Sequence, residues 1–397
     1  MRTGPSRVSV SPRTGIFSVS RPATRTIPMT GRTAEAVVSP RIAALSPVLL
    51  GPPPRDLGPT RPVRRLHLNE GPFPPAPAVI TAMRAAAADL HRYPDNDGTD
   101  LVAALAARTG VAAERIVLGA GSNELLYGAA DVAIEPGDVG LSPAPGFGSY
   151  ARAVAMRGGR SVGVPVRDDG AVDVVATLAA VTPATRLVFV ATPNNPTGGL
   201  ISAADLDRLV AGLPNHLLLV VDEAYHEFAR AAGGPDVIAA LARRRGPWIV
   251  TRTFSKAYGL AGARIGWGIA SSAEIADAFR KVRTTFSVST VALAGARAAL
   301  DETAHMERLV ASTTAERERL AGALAPHGFR AMPSAANFVM LTTPSPADRL
   351  AAALRDENIF VVPMPWRETA GALRVTIGTP EDDDALIAAL TAIATDR

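Results

Sequence analysis

The chain has no cysteine, so disulfides and thiolate metal sites are excluded and the redox compartment is left open. Lysine is nearly absent as well: of 41 basic residues only Lys256 and Lys281 are lysine. No apolar run approaches the ~20 residues of a membrane-spanning helix; the longest clear one is "HLLLVV". The six histidines show no HExxH or comparable ligand spacing, and no metal is expected. What remains, 47% apolar and 20% charged, is ordinary for a globular protein long enough for two domains.

The high pI of about 9.8 is local in origin. Six of the 41 cations lie in residues 1–34, which hold no acid, leaving 35 cations against 37 anions elsewhere. The body is near neutral, so charge alone supports neither a nucleic-acid partner nor a membrane surface. The tail "MRTGPSRVSVSPRTGIFSVSRPATRTIP" is rich in Ser, Thr, Pro and Arg without hydrophobic periodicity. It reads as disordered or as an over-long start with Met29 as the true first residue. It faintly resembles a transit peptide and lacks a signal-peptide core. Residues 1–60 are therefore expected to be a disordered or Pro-rich extension.

From about residue 96, helical and strand-like segments alternate. "TDLVAALAARTG" and "SAADLDRLVAGL" have helical spacing, whereas "RIVLGAG", "RLVFVAT", "LLLVVDE" and "WIVTRTF" are short apolar strands. The pattern predicts α/β architecture with a mainly parallel sheet covered on both faces. Ligands in such sheets sit beyond the C-terminal ends of the strands. After residue 285 one long or two successive helices precede "NFVMLT", "IFVVP" and "LRVTIG", which predicts a smaller α+β domain.

Unusual groups follow those strands. "RIVLGAGSNELL" runs through small residues into a helix, so free backbone N–H groups would face an anion such as phosphate. The same turn can be purely structural, and GxGxxG is absent. "LLLVVDEAYHEF" sets Asp222 and Glu223 at the end of the most apolar strand, where an acid is costly without a partner. Such an acid is either a solvated turn residue or a carboxylate facing a cationic ring nitrogen. Asn194 and Asn195 before Pro196 are usual turn residues. "WIVTRTFSKAYGLAGARIG" gathers Thr253, Ser255, Lys256 and Arg264. Arginine keeps its proton in proteins, whereas a buried lysine can lose it. An amine among two hydroxyls and an arginine suits a phosphorylated carbonyl compound, bonded through the amine and held by its phosphate. The alternative is a solvated lysine.

"PNNPTGG", "DEAYHEF", "TFSKAYGLAGARIGW" and "LRVTIGTPED" resemble, in order and spacing, the class I/II, fold-type I pyridoxal-phosphate aminotransferases. "LNEGPFPP" and "RYPD" resemble segments of the histidinol-phosphate aminotransferase group. The resemblance spans roughly residues 65–393. It implies a fold-type I pyridoxal-phosphate transferase with an N-terminal segment (61–92) packing on the small domain, a large cofactor domain (93–285) and a small C-terminal domain (286–397). It makes Lys256 the Schiff-base lysine and pairs Asp222 with the pyridinium nitrogen. Tyr225 and Asn195 would bond the ring hydroxyl oxygen, and Phe147 would stack on the ring. Ser122, Asn123, Thr253, Ser255 and Arg264 would surround the phosphate. Tyr93 would reach that phosphate from a neighbouring subunit, implying a homodimer, and Arg374 would bind the substrate carboxylate or its equivalent.

The implied activity is amino-group transfer between an amino acid, or histidinol phosphate, and a 2-oxo acid, in the cytoplasm. Decarboxylation, cyclisation or oxidation of an amino acid is compatible with the same cofactor residues. A non-enzymatic binding or regulatory protein is the remaining alternative. Histidinol-phosphate members typically carry an Arg where Val362 stands in "IFVVPMPW". That departure disfavours a phosphorylated substrate. Trp366 is either a pocket wall or a packing residue.

Overall fold

A strand covered on both faces can be apolar at every position, and "LLVV" is such a run. The computed structural model describes residues 37–48 and 62–395; most of the expected extension 1–60 lies outside these residues. The described residues up to Ala44 hold one short helix, Pro40–Ala43. Those from Leu45 onward belong to a single compact unit.

Strand β1 (Arg64–Arg65) belongs to the smaller half of that unit. The next seven are β2 (Ile116–Gly119), β3 (Val139–Ala144), β4 (Arg160–Pro165), β5 (Thr185–Ala191), β6 (Leu218–Asp222), β7 (Trp248–Thr253) and β8 (Gly266–Ala270). They form one sheet in the order β2-β8-β7-β6-β5-β3-β4. β8 is antiparallel to both neighbours; the other pairs are parallel. Alternate residues of β6 enter two separate cores. Leu219 and Val221 pack with Leu118, Val188 and Val250, whereas Leu218 and Val220 pack with Val117, Phe189 and Ile249. Each such side chain contributes roughly 1.5–3 kcal/mol of burial.

Local signals set the covering helices. Ser202 caps Ala203–Gly212 by accepting the Asp205 N–H at 3.0 Å, and Gly110, at φ +70°, ends Thr99–Thr109. The predicted helical stretch after residue 285 is two helices, Thr290–Asp301 and Thr303–Leu324, separated at Glu302. Ala292 and Ala296 of the first join the large-sheet core. The second runs from that core, at Leu309 and Val310, into a separate one at Leu320 and Leu324.

That separate core lies under the smaller sheet, formed by β9 (Arg330–Ala331), β10 (Phe338–Thr342), β12 (Val362–Met364) and β13 (Ala372–Thr376). β11 (Ile359–Phe360) pairs in parallel with β1. Val339, Leu341, Leu373 and Val375 face the core, with Leu66 and Leu390. The alternating positions Phe338, Met340, Val362 and Arg374 therefore share the opposite face. Phe338 meets Tyr225 edge-on at 5.2 Å, so this face looks toward the ends of β6 and β7. No helix among the described residues is long and apolar enough to cross a membrane.

Candidate active site

Because β8 runs opposite to its neighbours, its first residue lies beside the last residues of β2 and β7: Gly266 registers with both Gly119 and Thr253. A Cβ on Gly266 would stand 2.1 Å from the Ser122 backbone nitrogen, so only glycine lets the helix Ser122–Ala133 start there. Gly121, at φ +79°, has Arg264 Nη2 2.5 Å from where its Cβ would be. Arg264, itself left-handed at φ +57°, lays its guanidinium along this turn. On the adjoining strand end, the Thr253 and Ser255 hydroxyls lie 2.9 Å apart, and the Ser255 N–H donates to Thr253 Oγ1 at 3.1 Å. Asn123 Oδ1 is sealed off without a hydrogen-bond partner. Helix-start amides, hydroxyls and one arginine thus converge on one place, the composition of an oxyanion cradle.

Beside the cradle, Lys256 Nζ donates to the carbonyls of Asn69 at 2.7 Å and Leu68 at 3.2 Å. Its ammonium lies 5.9 Å from the Tyr225 ring centroid. Burial first, then the charges of Arg374 and Arg264, bring its pKa down to about 8, against an opposing pull from Glu70 and Asp222. Asp222 is 6% exposed. It accepts hydrogen bonds from the Tyr150 hydroxyl at 2.7 Å, the Thr251 hydroxyl at 3.2 Å and the Ala224 N–H at 3.1 Å. Burial nevertheless raises its pKa, because no cation among the described residues pairs with it. Burial likewise pushes the Tyr225 phenol up to about 12; its oxygen meets Asn69 Nδ2 at 2.8 Å.

Asn195 Oδ1 accepts from Arg374 Nη1 at 2.7 Å, and Arg374 Nη2 donates to the His67 carbonyl. Arg374 Nε is left buried and unpartnered. Phe147 is 37% exposed and stands edge-on to Tyr150 at 5.8 Å. Tyr93 is 81% exposed and stacks on Phe286 at 4.6 Å, apart from the hydrogen-bond network around Lys256 and Asp222.

Two residues of this network escaped sequence reasoning. Tyr150, within "APGFGSY", holds Asp222. Asn69, within "LNEGPFPP", links Tyr225, Lys256 and, through Oδ1, the Thr376 hydroxyl at 3.0 Å. The signal for Asn69 was its type, since asparagine tolerates the positive φ (+53°) it adopts just after the turn at Leu66 and His67. Glu223, adjacent to Asp222, points to the other face of the sheet. There it accepts Arg252 Nη2 at 2.7 Å and Nε at 2.9 Å and meets His226 Nδ1 at 3.2 Å. Burial alone would raise its pKa, but Arg252 and His226 outweigh it and hold it at about 2. Among the described residues no group of His, Asp and Glu could hold a metal ion.

A phosphorylated pyridine aldehyde fits this donor set. The cradle could take the phosphate, Lys256 could offer an amine to the aldehyde, and Asp222, without an ion-pair partner among the described residues, could face a protonated ring nitrogen. The comparisons agree. Residues 62–390 match the family model for aminotransferase class I and II. The chain is 40% identical over 328 residues to histidinol-phosphate aminotransferase 2 of Caulobacter vibrioides, covering 83% of this chain and 85% of that protein. It is 41% identical over 332 residues to the histidinol-phosphate aminotransferase of Ruegeria pomeroyi, covering 83% and 91%. A crystal structure of the histidinol-phosphate aminotransferase from Sinorhizobium meliloti with pyridoxal 5'-phosphate matches with TM-score 0.82 and 33% identity, over 93% of this chain and 99% of that one.

The chain belongs to the class I and II aminotransferase family. It is a fold-type I, pyridoxal-phosphate-dependent aminotransferase, so the decarboxylase, cyclase, oxidase and non-enzymatic alternatives give way.

Proposed function

We propose that this enzyme moves an amino group between an α-amino acid and a 2-oxo acid, with Arg374 receiving the substrate carboxylate. The observation carrying this reading is the register of the small sheet. Arg374 is directly opposite Val362 on one side and Met340 on the other, so apolar side chains flank it on its own face. A single guanidinium matches a carboxylate monoanion, whereas a phosphate dianion calls for a second cation.

Pyridoxal phosphate, when bound, supplies an aldehyde that condenses with amines and a ring that takes up the electron pair released at the substrate Cα. Lys256, with a free-base share near neutral pH, would serve as the general base for the substrate Cα proton and would carry that proton back once the electron pair has moved. Asp222 keeps the ring nitrogen protonated. Tyr225 and Asn195 would hold the ring hydroxyl oxygen, and Phe147 would stack on the ring. Ser122, Asn123, Thr253, Ser255 and Arg264 would hold the phosphate. The exposure of Tyr93 suits a homodimer in which it completes the phosphate site of a second copy, and the cytoplasm is the compartment this reading assigns.

The test is a donor screen on purified enzyme with 2-oxoglutarate, scored by conversion of the cofactor to its amine form. An α-amino acid should be the best donor, and preference for histidinol phosphate over every amino acid would overturn the carboxylate assignment. Histidinol phosphate is the second reading, favoured by identities of about 40% to enzymes named for it. Lys256→Ala should abolish turnover, and borohydride should fix the cofactor at Lys256. Unimpaired turnover in the variant would sink the role given to this lysine.

A further inference from the structure

A phenol can accept a hydrogen bond and donate one, and the fold fixes which of these Tyr225 does on its inner side. Its oxygen lies 2.8 Å from Asn69 Nδ2, an amide nitrogen that can only donate. The phenol therefore accepts there, and its own hydrogen is left for another partner. Among the described residues no group takes that hydrogen. The ring hydroxyl oxygen placed at Tyr225 above would be its acceptor.

This arrangement depends on an amide that could turn over. Reversed, Asn69 would present Oδ1 to Tyr225, accept the phenol hydrogen and draw it away from the ring. Thr376 opposes that reversal. Its Oγ1 accepts the Asn69 backbone N–H at 2.9 Å and donates to Asn69 Oδ1 at 3.0 Å. A reversed amide would set Nδ2 against Oγ1 and strand the Thr376 hydroxyl hydrogen. Both residues are 2% exposed, so water could not take it, and an unmet buried donor is costly.

Thr376 stands two residues after Arg374 on β13, hence on the same face, and registers with Phe338, whose ring meets Tyr225. Arg374 acts on Asn195 in the same way. Its Nη1 donates to Asn195 Oδ1 at 2.7 Å, so the donor end of that amide is the end left for a ligand. One strand of the small sheet thus sets the sense of both groups expected at the ring hydroxyl oxygen.

We propose that Thr376 is a positioning residue which, through the Asn69 amide, keeps the Tyr225 hydroxyl a donor toward the ring hydroxyl oxygen of the bound cofactor. The inference rests on the placement of Tyr225 at that oxygen. The side chain of Thr376 hydrogen-bonds Asn69 and not Tyr225, so its effect is indirect. A hydrogen bond donated to an oxygen favours the unprotonated form of that oxygen. When the donor is turned away, the oxygen keeps a proton to higher pH, and the absorbance of the bound cofactor titrates later.

A pH titration of cofactor absorbance in the holoenzyme, without substrate, tests this. Tyr225→Phe should raise the midpoint. Thr376→Val, which keeps the side-chain shape and removes the hydroxyl, should raise it by roughly half a pH unit, about a threefold change in proton affinity. Thr376→Ser restores the hydroxyl and should return the wild-type midpoint. In the Tyr225→Phe background, Thr376→Val should add nothing, because the hydrogen it orients is gone. If Thr376→Val does not fold, Thr376→Ala takes its place in each comparison. An unmoved midpoint in the folded variant, a Thr376→Ser shift equal to that of Thr376→Val, or the same shift without the Tyr225 hydroxyl would overturn the relay. An unmoved midpoint in Tyr225→Phe would overturn the placement of Tyr225 as well. The donor screen reads neither quantity, so the substrate assignment stands or falls separately.

Discussion

The hydroxyl of Tyr150 donates a 2.7 Å hydrogen bond to Oδ2 of Asp222, tying the helix Ser149–Met156 to the end of β6. Three hydrogen bonds pull the carboxyl toward its charged form, yet burial wins and its pKa is raised. A raised carboxyl binds a proton in the folded state at pH values where the unfolded chain has released it. Its contribution is therefore present below the ordinary aspartate value and lost as pH rises through the folded one. Without cofactor, Asp222→Asn should be more stable than wild type by about 1–2 kcal/mol near pH 8, since a buried unpaired charge is removed. With cofactor bound the order should reverse. Urea midpoints of the two forms, with and without pyridoxal phosphate, check both signs.

Tyr150→Phe should leave Oδ2 of Asp222 unpartnered at a cost of about 1–3 kcal/mol and raise the Asp222 pKa further. Urea unfolding of the cofactor-free protein measures the first. The second appears as weaker cofactor binding than in wild type at low pH, a deficit that closes as pH rises, because the variant carboxyl is charged only above its higher pKa. A variant matching wild type in both would separate Tyr150 from the ring-nitrogen site.

Glu223 answers to the opposite sign. Held at about 2 by Arg252 and His226, it stabilises the folded state above the ordinary glutamate value, and that contribution is lost as pH falls from 4.5 toward 2. Glu223→Gln strands the buried Arg252 guanidinium and should cost about 3–5 kcal/mol at neutral pH. Adding Arg252→Met should recover much of it. Acid unfolding of the single variant should lose the part of its slope that lies in this window.

Much of this centre could be read from the chain, for a physical reason. In a parallel sheet the residues just past each apolar run share one edge, so "LLVVD", "TFSK" and "ATPNN" had to meet there. β8 was less legible, because two of the five residues in "GWGIA" are glycine and its reversal gives no local signal. Partners brought by distant segments were hidden: Tyr150 lies 72 residues from Asp222 and Asn69 lies 156 from Tyr225. The different fates of Asp222 and Glu223 follow from strand alternation, but only the structure shows that an arginine waits on one face and none on the other.

The amine of Lys256 should titrate on the cofactor-free enzyme near pH 8, read by the pH dependence of acetic anhydride labelling at this residue. Arg374 follows burial as a cause of the lowered value. Arg374→Met should therefore keep the amine protonated to higher pH and move the labelling midpoint upward. An unmoved midpoint would mean that burial and the other charges set it without Arg374.

Gly266→Ala places a methyl 2.1 Å from a backbone nitrogen, a clash that no side-chain rotation relieves. The start of the helix at Ser122 must shift, at about 1–3 kcal/mol of overpacking, and the cradle opens with it. Cofactor affinity should fall by about tenfold or more while the Lys256 labelling midpoint stays in place. That split distinguishes a damaged phosphate cradle from a collapsed site.

Val362 and Arg374 are cross-strand partners on the face that meets Tyr225, and such pairs stand about 4.5–5.5 Å apart at Cβ. Val362→Arg would place a second guanidinium beside the first, with Met340 still on the far side. Two cations suit a dianion better than a monoanion, and their mutual repulsion is relieved only when the dianion binds. The ratio of kcat/KM for histidinol phosphate to that for the best amino-acid donor should rise about tenfold or more, mostly through KM for the phosphorylated donor. The cofactor residues lie outside the change, so kcat for the amino acid should fall much less than this ratio rises. If the ratio stays fixed while the variant folds and binds cofactor, the group opposite Arg374 does not select the substrate, and the carboxylate preference must be sought elsewhere in the pocket.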